Sequence, residues 1–110
     1  MIDHVALYVT DVDRSRRFYE QALAPLGYSI AMEMEGFIGL AHEGSLQFAV
    51  RSGKEPNSSV HVAFQAHDRS AVDAFHAAAT SAGGTDAGAP GVREHYHPSY
   101  YAAFVSDPDR

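Results

Sequence analysis

Seven histidines and no cysteine set the chemistry open to this 110-residue chain. Thiolate nucleophiles, disulfides and Cys-ligated zinc are excluded. Two of the histidines, His4 and His61, each begin the tripeptide His-Val-Ala. Val5, Leu7 and Val9 alternate with His4, Ala6 and Tyr8, and Val62 and Phe64 alternate with His61, Ala63 and Gln65. Such alternation predicts strands whose side chains point to opposite faces in turn. If the apolar set packs on a helix, both histidines and Tyr8 face the other way. In a later stretch Leu46, Phe48 and Val50 take the helix side by the same count, which leaves Gln47, Ala49 and Arg51 opposite. Imidazole and amide groups beside small alanines suit a cavity that receives a ligand. Neutral imidazole is the commonest metal ligand. Two histidines with an amide or carboxylate, and positions left open, suit Fe, Mn, Ni, Co or Zn. The plainer reading is two polar residues satisfied within strands, which duplication would copy equally well.

A second chemically rich stretch is Arg93-Glu94-His95-Tyr96-His97-Pro98-Ser99-Tyr100-Tyr101. On an extended strand His95 and His97 share a face, a spacing that also suits metal in cupin-like barrels. Those barrels lack long helices, and two helices are expected here. A pocket-lining role for His95, His97 and Tyr101 is preferred, because aromatic bodies with polar tips grip small ligands. The alternative is a surface loop with tyrosines packed on the sheet. His42, His67 and His76 read as surface or turn residues, and Arg14, Arg16 and Arg17 as a solvated helix face. A Gly-rich phosphate loop, a serine elbow and a His-Glu-x-x-His motif are all absent from the sequence.

The elements that must position these groups come in two copies. Sliding the chain by 57 positions lays His4-Val5-Ala6 on His61-Val62-Ala63, Asp11 on Asp68, Phe18 on Phe75, Ala22 on Ala79 and Gly27 on Gly84. A repeat of this kind decides the fold. Unit one reads as a strand, then a helix capped by Asp11 or Asp13 with Phe18, Ala22, Leu23 and Leu26 at helical spacing. Pro25 and Gly27 end that helix. Three strands follow, over 28–34, 36–42 and 45–50, with Glu35-Gly36 and Glu43-Gly44 as turns. Unit two begins with a strand over 59–66 and a helix that Asp68 caps and Gly83-Gly84 closes. Residues 85–93 are rich in Gly and Pro and predict at most one short strand, near Val92. A strand over 100–106 and the turn signal Asp107-Pro108-Asp109 follow. The polar stretch 51–57 is the joint, giving one domain with module one over 1–53 and module two over 58–110. Unit one has four strands and unit two only three, so a last strand is expected beyond Arg110. The alternative is an open sheet edge, which is a liability.

The formal charge is −6, from 14 acidic and 8 basic residues. That balance disfavours nucleic acid and anionic membranes as partners. The N-terminus lacks the basic start and apolar stretch of a signal peptide, and no apolar run nears the ~20 residues that span a bilayer. A cytoplasmic location and a small-molecule partner are expected.

Asp3-His4-Val5-Ala6-Leu7, Asp11-Val12-Asp13-Arg14-Ser15 with Phe18-Tyr19, His61-Val62-Ala63-Phe64, and Tyr101-Ala102-Ala103-Phe104-Val105 with Asp107-Pro108-Asp109 resemble the vicinal oxygen chelate superfamily. That group holds glyoxalase I, bleomycin-resistance proteins and extradiol dioxygenases, and the resemblance spans essentially the whole chain. It implies an α+β fold of paired βαβββ modules, with a cupped mixed sheet and helices on its outer face. It also implies metal ligands at His4, Gln47 and His61, with Gln standing where Glu is usual. The last ligand, a Glu, would lie on a final strand beyond Arg110. The implied cofactor is a divalent metal (Zn, Ni, Fe, Mn or Co) that chelates two neighbouring substrate oxygens and stabilises developing oxyanion charge. The implied catalytic base is that Glu, since Gln47 accepts no proton at neutral pH. A homodimer is implied too. Glyoxalase-like lyase chemistry and a metal-free binder of the bleomycin-resistance type are the two functions this leaves in view, with a pure dimerisation scaffold behind them.

Overall fold

The computed structural model describes residues 2–53 and 60–109. The chain is mixed α+β, as the repeat requires. β1 (Val5–Val9) leads to α1 (Val12–Leu23), a single 3-10 turn over Ala24–Leu26, then β2 (Tyr28–Met34), β3 (Phe37–His42) and β4 (Ser45–Ser52). After the joint come α2 (Arg69–Ser81), β5 (Thr85–Val92) and β6 (Tyr101–Ser106). The 57-position shift carries the start of α1 onto that of α2 and the start of β2 onto that of β5. Lys54–Asn57 of the proposed joint, and Ser59 of the proposed strand, lie outside the described residues.

Each helix starts where a carboxylate can take an orphan amide. Asp11 accepts from the Arg14 N–H at 3.1 Å, and Asp68 from the Ala71 N–H at 2.8 Å. After α1, Gly27 takes φ 92° and donates its N–H back to Ala24, a left-handed close that a side chain would strain.

Unit one forms a four-stranded sheet in the order β1-β4-β3-β2, with β1 parallel to β4 and the other pairs antiparallel. β5 and β6 pair antiparallel as a separate two-stranded sheet. Phe48, Val50, Leu40 and Ile38 from the first sheet bury with Phe18, Tyr19, Ala22 and Leu23 of α1, and Ala79 of α2 joins them. Complete burial of the larger of these, such as Phe48, Leu40 and Val50, stabilises the fold by about 1.5–3 kcal/mol each.

Three sequence-based expectations change. β5 is eight residues long despite its Gly and Pro. Its register against β6 shifts between Asp86 and Gly88 and again between Gly88 and Gly91, so Pro90 falls in an irregularity that needs no donor. Residues 60–66 carry the expected alternation yet form no ladder with any described strand. The third change lies in β4. Leu40 pairs with Phe48 and Ala41 with Leu46, so Gln47 is the extra residue of a β-bulge. A Cβ on Gly39, which pairs with Ala49 and Met32, would meet Leu46 Cδ1 at 2.6 Å. Leu46 therefore shares the face of Ala49, away from α1. Gln47 turns instead toward Tyr28, whose hydroxyl donates to its Oε1 at 3.1 Å.

Candidate functional site

Among the described residues a cleft of about 1140 Å³ opens between the two units. Its floor is apolar and includes Phe18, Tyr19, Ala22, Leu23, Phe48, Val62 and Phe64. Phe64 anchors this region, with its ring 5.2 Å from Phe48 and 5.5 Å from Tyr28. Its mouth holds His61, Tyr96, His97, Tyr100, Tyr101 and Phe104, and Tyr8 lines it from unit one.

The aromatic side of the mouth is built by two turns after β5. Tyr96 N–H donates to Arg93 O, and Tyr100 N–H to His97 O. His95 and His97 are therefore not on an extended strand and do not share a face. The rings of His95 and Tyr96 meet tilted with centroids 4.4 Å apart, those of Tyr96 and Tyr100 likewise at 4.9 Å, and His97 lies edge-on to Tyr100 at 5.1 Å. The Ser99 N–H donates to His97 Nδ1 at 3.3 Å, which leaves Nε2 as that ring's other polar atom. Tyr101 points to α2. Its hydroxyl donates to Asp73 at 2.6 Å and the Arg69 guanidinium sits 4.9 Å over its ring. The bond to Asp73 holds the phenol protonated and raises its pKa. Across the opening, the rings of His61 and Phe104 are 5.9 Å apart, and Arg93 lies 5.4 Å over Phe104.

The cleft thus gathers His61, His97, Tyr8 and Tyr101 but not the whole proposed set: His4, Gln47 and His95 are not among its lining residues. His4 is exposed, with Nδ1 2.9 Å from the carboxylate of Asp3. Phe104 was not singled out from the sequence because the strand over 100–106 reads as ordinary β structure; alternation from Tyr101 and Val105 was the available signal.

Two other groups depart from expectation. His76 is half-buried, not a loose surface residue, and Nε2 lies 2.9 Å from Asp86, tying α2 to β5. Arg14 belongs to a clasp: Asp109 takes hydrogen bonds from the Thr10 N–H (3.0 Å), the Thr10 hydroxyl (2.7 Å) and Arg14 (2.5 Å). Next to it Tyr19 donates its hydroxyl to Asp107. Burial, and then that bond to a carboxylate, push the Tyr19 phenol far above its usual range.

A family model for the Glyoxalase/Bleomycin resistance protein/Dioxygenase superfamily matches residues 1–110. The chain belongs to that superfamily. A glyoxalase/bleomycin resistance protein from Albidiferax ferrireducens T118 matches with TM-score 0.87 and 28% identity, over 99% of this chain and 92% of that one. A glyoxalase-related enzyme from Fulvimarina pelagi matches at TM-score 0.76 and 18% identity, over 99% and 81%. A glyoxalase/bleomycin resistance protein/dioxygenase family enzyme from Burkholderia phytofirmans PsJN gives 0.75 and 22%, over 98% and 91%. The search of curated proteins returned no match.

Superfamily membership brings a divalent metal into question, and the donors can be tested against it. Among the described residues no group of three or more His, Asp or Glu is placed to hold an ion. Gln47, the amide proposed to complete the set, spends its oxygen on Tyr28 and lies on the helix side of its sheet. By alternation from Val5, which packs toward the core, His4 is on the opposite side. His61 alone of the three opens on the cleft. These residues do not fit one ion within this chain. Among the described residues, no helix is long and apolar enough to cross a membrane.

Proposed function

We propose that this superfamily member binds a small, partly aromatic molecule without metal, as a sequestering protein of the bleomycin-resistance type. One observation carries the reading: the cleft mouth combines His61, His97, Tyr96, Tyr100 and Phe104, while His4 and Gln47 stay outside it. Ring faces supply dispersion and stacking area, and imidazole tips supply directional hydrogen bonds. The chain's own groups bind, orient and exclude water; none is asked to move a proton. The test is a fragment screen by NMR in the presence of EDTA. Aromatic fragments are expected to shift the rings of His61, His97 and Tyr96, with affinity falling about tenfold in His61→Ala, the loss of one stacking and hydrogen-bonding partner. Fragments that bind only when metal is restored would overturn it.

The glyoxalase-like lyase reading rests on a different observation, the equivalent register of His4 and His61 in the two units. It needs ligands from outside this chain's own set, which a homodimer would supply. Tyr8, Met32 and Met34, each more than two-fifths exposed, support such pairing. Stoichiometric Zn, Ni, Fe, Mn or Co in purified dimer, lost in both His4→Ala and His61→Ala, would favour it.

A further inference from the structure

β5 and β6 turn one face to α2 and the other away from it. Tyr101 reaches Asp73 on α2, and Val105 packs on the core, so alternation sends Phe104 to the far face. Val62 and Phe64 also pack on the core. That sends His61 away from the core as well, and its ring lies 5.9 Å from that of Phe104. Over Phe104 sits the guanidinium of half-buried Arg93, 5.4 Å from the ring centroid.

Besides that ring, β5 itself holds the guanidinium in place. Arg93 Nη2 donates to the Ala89 carbonyl at 2.8 Å. A Cβ on Gly88 would lie 3.1 Å from Nη2, and one on Gly91 3.0 Å from Nη1, so two glycines form the bed on which the fork lies. A guanidinium stacked on a ring keeps its in-plane N–H groups for other acceptors. Yet among the described residues no carboxylate takes them: the arginine ion pairs engage Arg14 and Arg16. The acids that line the cleft are themselves engaged, Asp68 with the Ala71 amide, Asp107 with Tyr19 and Asp109 with Arg14. Arg69 is the other cation stacked on a ring of the unit-two wall. The hydroxyl of that ring, Tyr101, is bonded to the Asp73 carboxylate, which repels an arriving anion.

We propose that Arg93, with His61 beside it, forms a carboxylate subsite at the edge of the cleft, and that the ligand is an aromatic carboxylate. The proposal deepens the small-molecule reading above and rests on it. The fork of Arg93 takes the carboxylate, His61 adds a ring N–H, and the aromatic body turns into the cleft. The net charge of −6 opposes an anion at long range, but salt screens it over about 8 Å. A charged hydrogen bond acts well inside that distance.

The probes are 2-naphthoate and its neutral isostere 2-naphthamide, titrated into the 110-residue chain with EDTA present and followed by NMR. The carboxylate is expected to bind about tenfold more tightly than the amide. Arg93→Gln should abolish that preference and leave the affinity for the amide unchanged, which also reports an intact fold. Arg69→Gln should keep the preference. Gly91→Ala retains the charge, but its Cβ pushes the fork off its bed, and most of the preference should be lost. Equal affinity for the two probes, or a preference that survives Arg93→Gln, overturns the proposal and leaves the small-molecule reading standing. If neither probe binds, both fall.

Discussion

Asp109 and Arg14, 95 residues apart in sequence, meet at 2.5 Å across the join between the last turn and the first helix. The Asp109 side chain is only 8% exposed, whereas Arg14 remains 43% exposed. Thr10 contributes both its amide and its hydroxyl to the same carboxylate. One side chain therefore joins the end of β1, the start of α1 and the residues after β6. Asp109→Ala is expected to cost about 2 kcal/mol, since a mostly buried carboxylate loses several charged hydrogen bonds while Arg14 keeps partial access to water. A double-mutant cycle with Thr10→Ala, read by urea unfolding, should show coupling of about 0.5 kcal/mol or more. Additive costs would mean that the clasp does not act as a unit.

The same clasp sets an acid limit. Burial alone would raise the Asp109 pKa, but the bonds from Thr10 and the charge of Arg14 outweigh it and leave it below the ordinary carboxylate range. A carboxylate depressed on folding contributes stability that is present above its unfolded pKa, about 3.9. That contribution disappears as pH falls through the folded value. Asp86, lowered by its bond with His76, acts in the same direction. Stability measured from pH 6 down to pH 2 should fall less steeply in Asp109→Asn than in the parent. An unchanged acid limb would remove Asp109 from the account.

Gly84 marks how tightly unit two is seated on unit one. A Cβ there would lie 2.6 Å from Phe18 Cε1 and Val105 Cγ1, and 2.9 Å from the Ala79 carbonyl. Because one of those atoms is backbone, the contact cannot be relieved by rotating a side chain alone. Gly84→Ala is expected to destabilise by about 1–3 kcal/mol. Gly44, with open space around its Cβ position but φ 80°, is a contrasting control: there alanine suffers only the left-handed backbone, about 1 kcal/mol. Equal costs at the two sites, measured by thermal unfolding, would contradict the packing argument.

Ser15 is fully buried and its hydroxyl has no hydrogen-bond partner among the described residues. Alanine removes an unsatisfied polar atom with little change in shape. Ser15→Ala should therefore stabilise by about 1 kcal/mol. A destabilised variant would show that the hydroxyl is satisfied by water.

What the sequence revealed, and what it hid, follows from the range of the interactions involved. The two helices and β1–β4 were legible because each rests on local signals: an Asp cap, helical spacing of Phe18 and Ala22, Gly turns. β5 was not, because Thr85–Val92 has little strand propensity of its own and is held extended by its ladder to β6. Residues 60–66 show the converse, since alternation predicts a strand but only a partner makes one. The clasp was hidden for the same reason: nothing near Arg14 hints at Asp109. At the candidate site, side-chain chemistry singled out His61 and His97, both of which line the cleft, whereas the parity that put His95 beside His97 fails because turns replace the strand there. Gln47 was misplaced because a single extra residue in β4 reverses the count.

That reversal gives the sharpest check on the metal question. Gln47→Glu puts into β4 the carboxylate that the superfamily pattern expects. Were residue 47 on the face of His4, the new charge would complete part of a ligand set and zinc affinity would rise. In this fold its oxygen instead meets the Tyr28 hydroxyl. That phenol is itself raised by burial and stays protonated at neutral pH, so it donates to a carboxylate as readily as to an amide. Stability should change by less than about 1 kcal/mol, and zinc titrated by calorimetry should bind the variant no more tightly than the parent. Tighter zinc binding that disappears on adding His4→Ala would place Gln47 and His4 together after all, and would return the metal-dependent reading to the front.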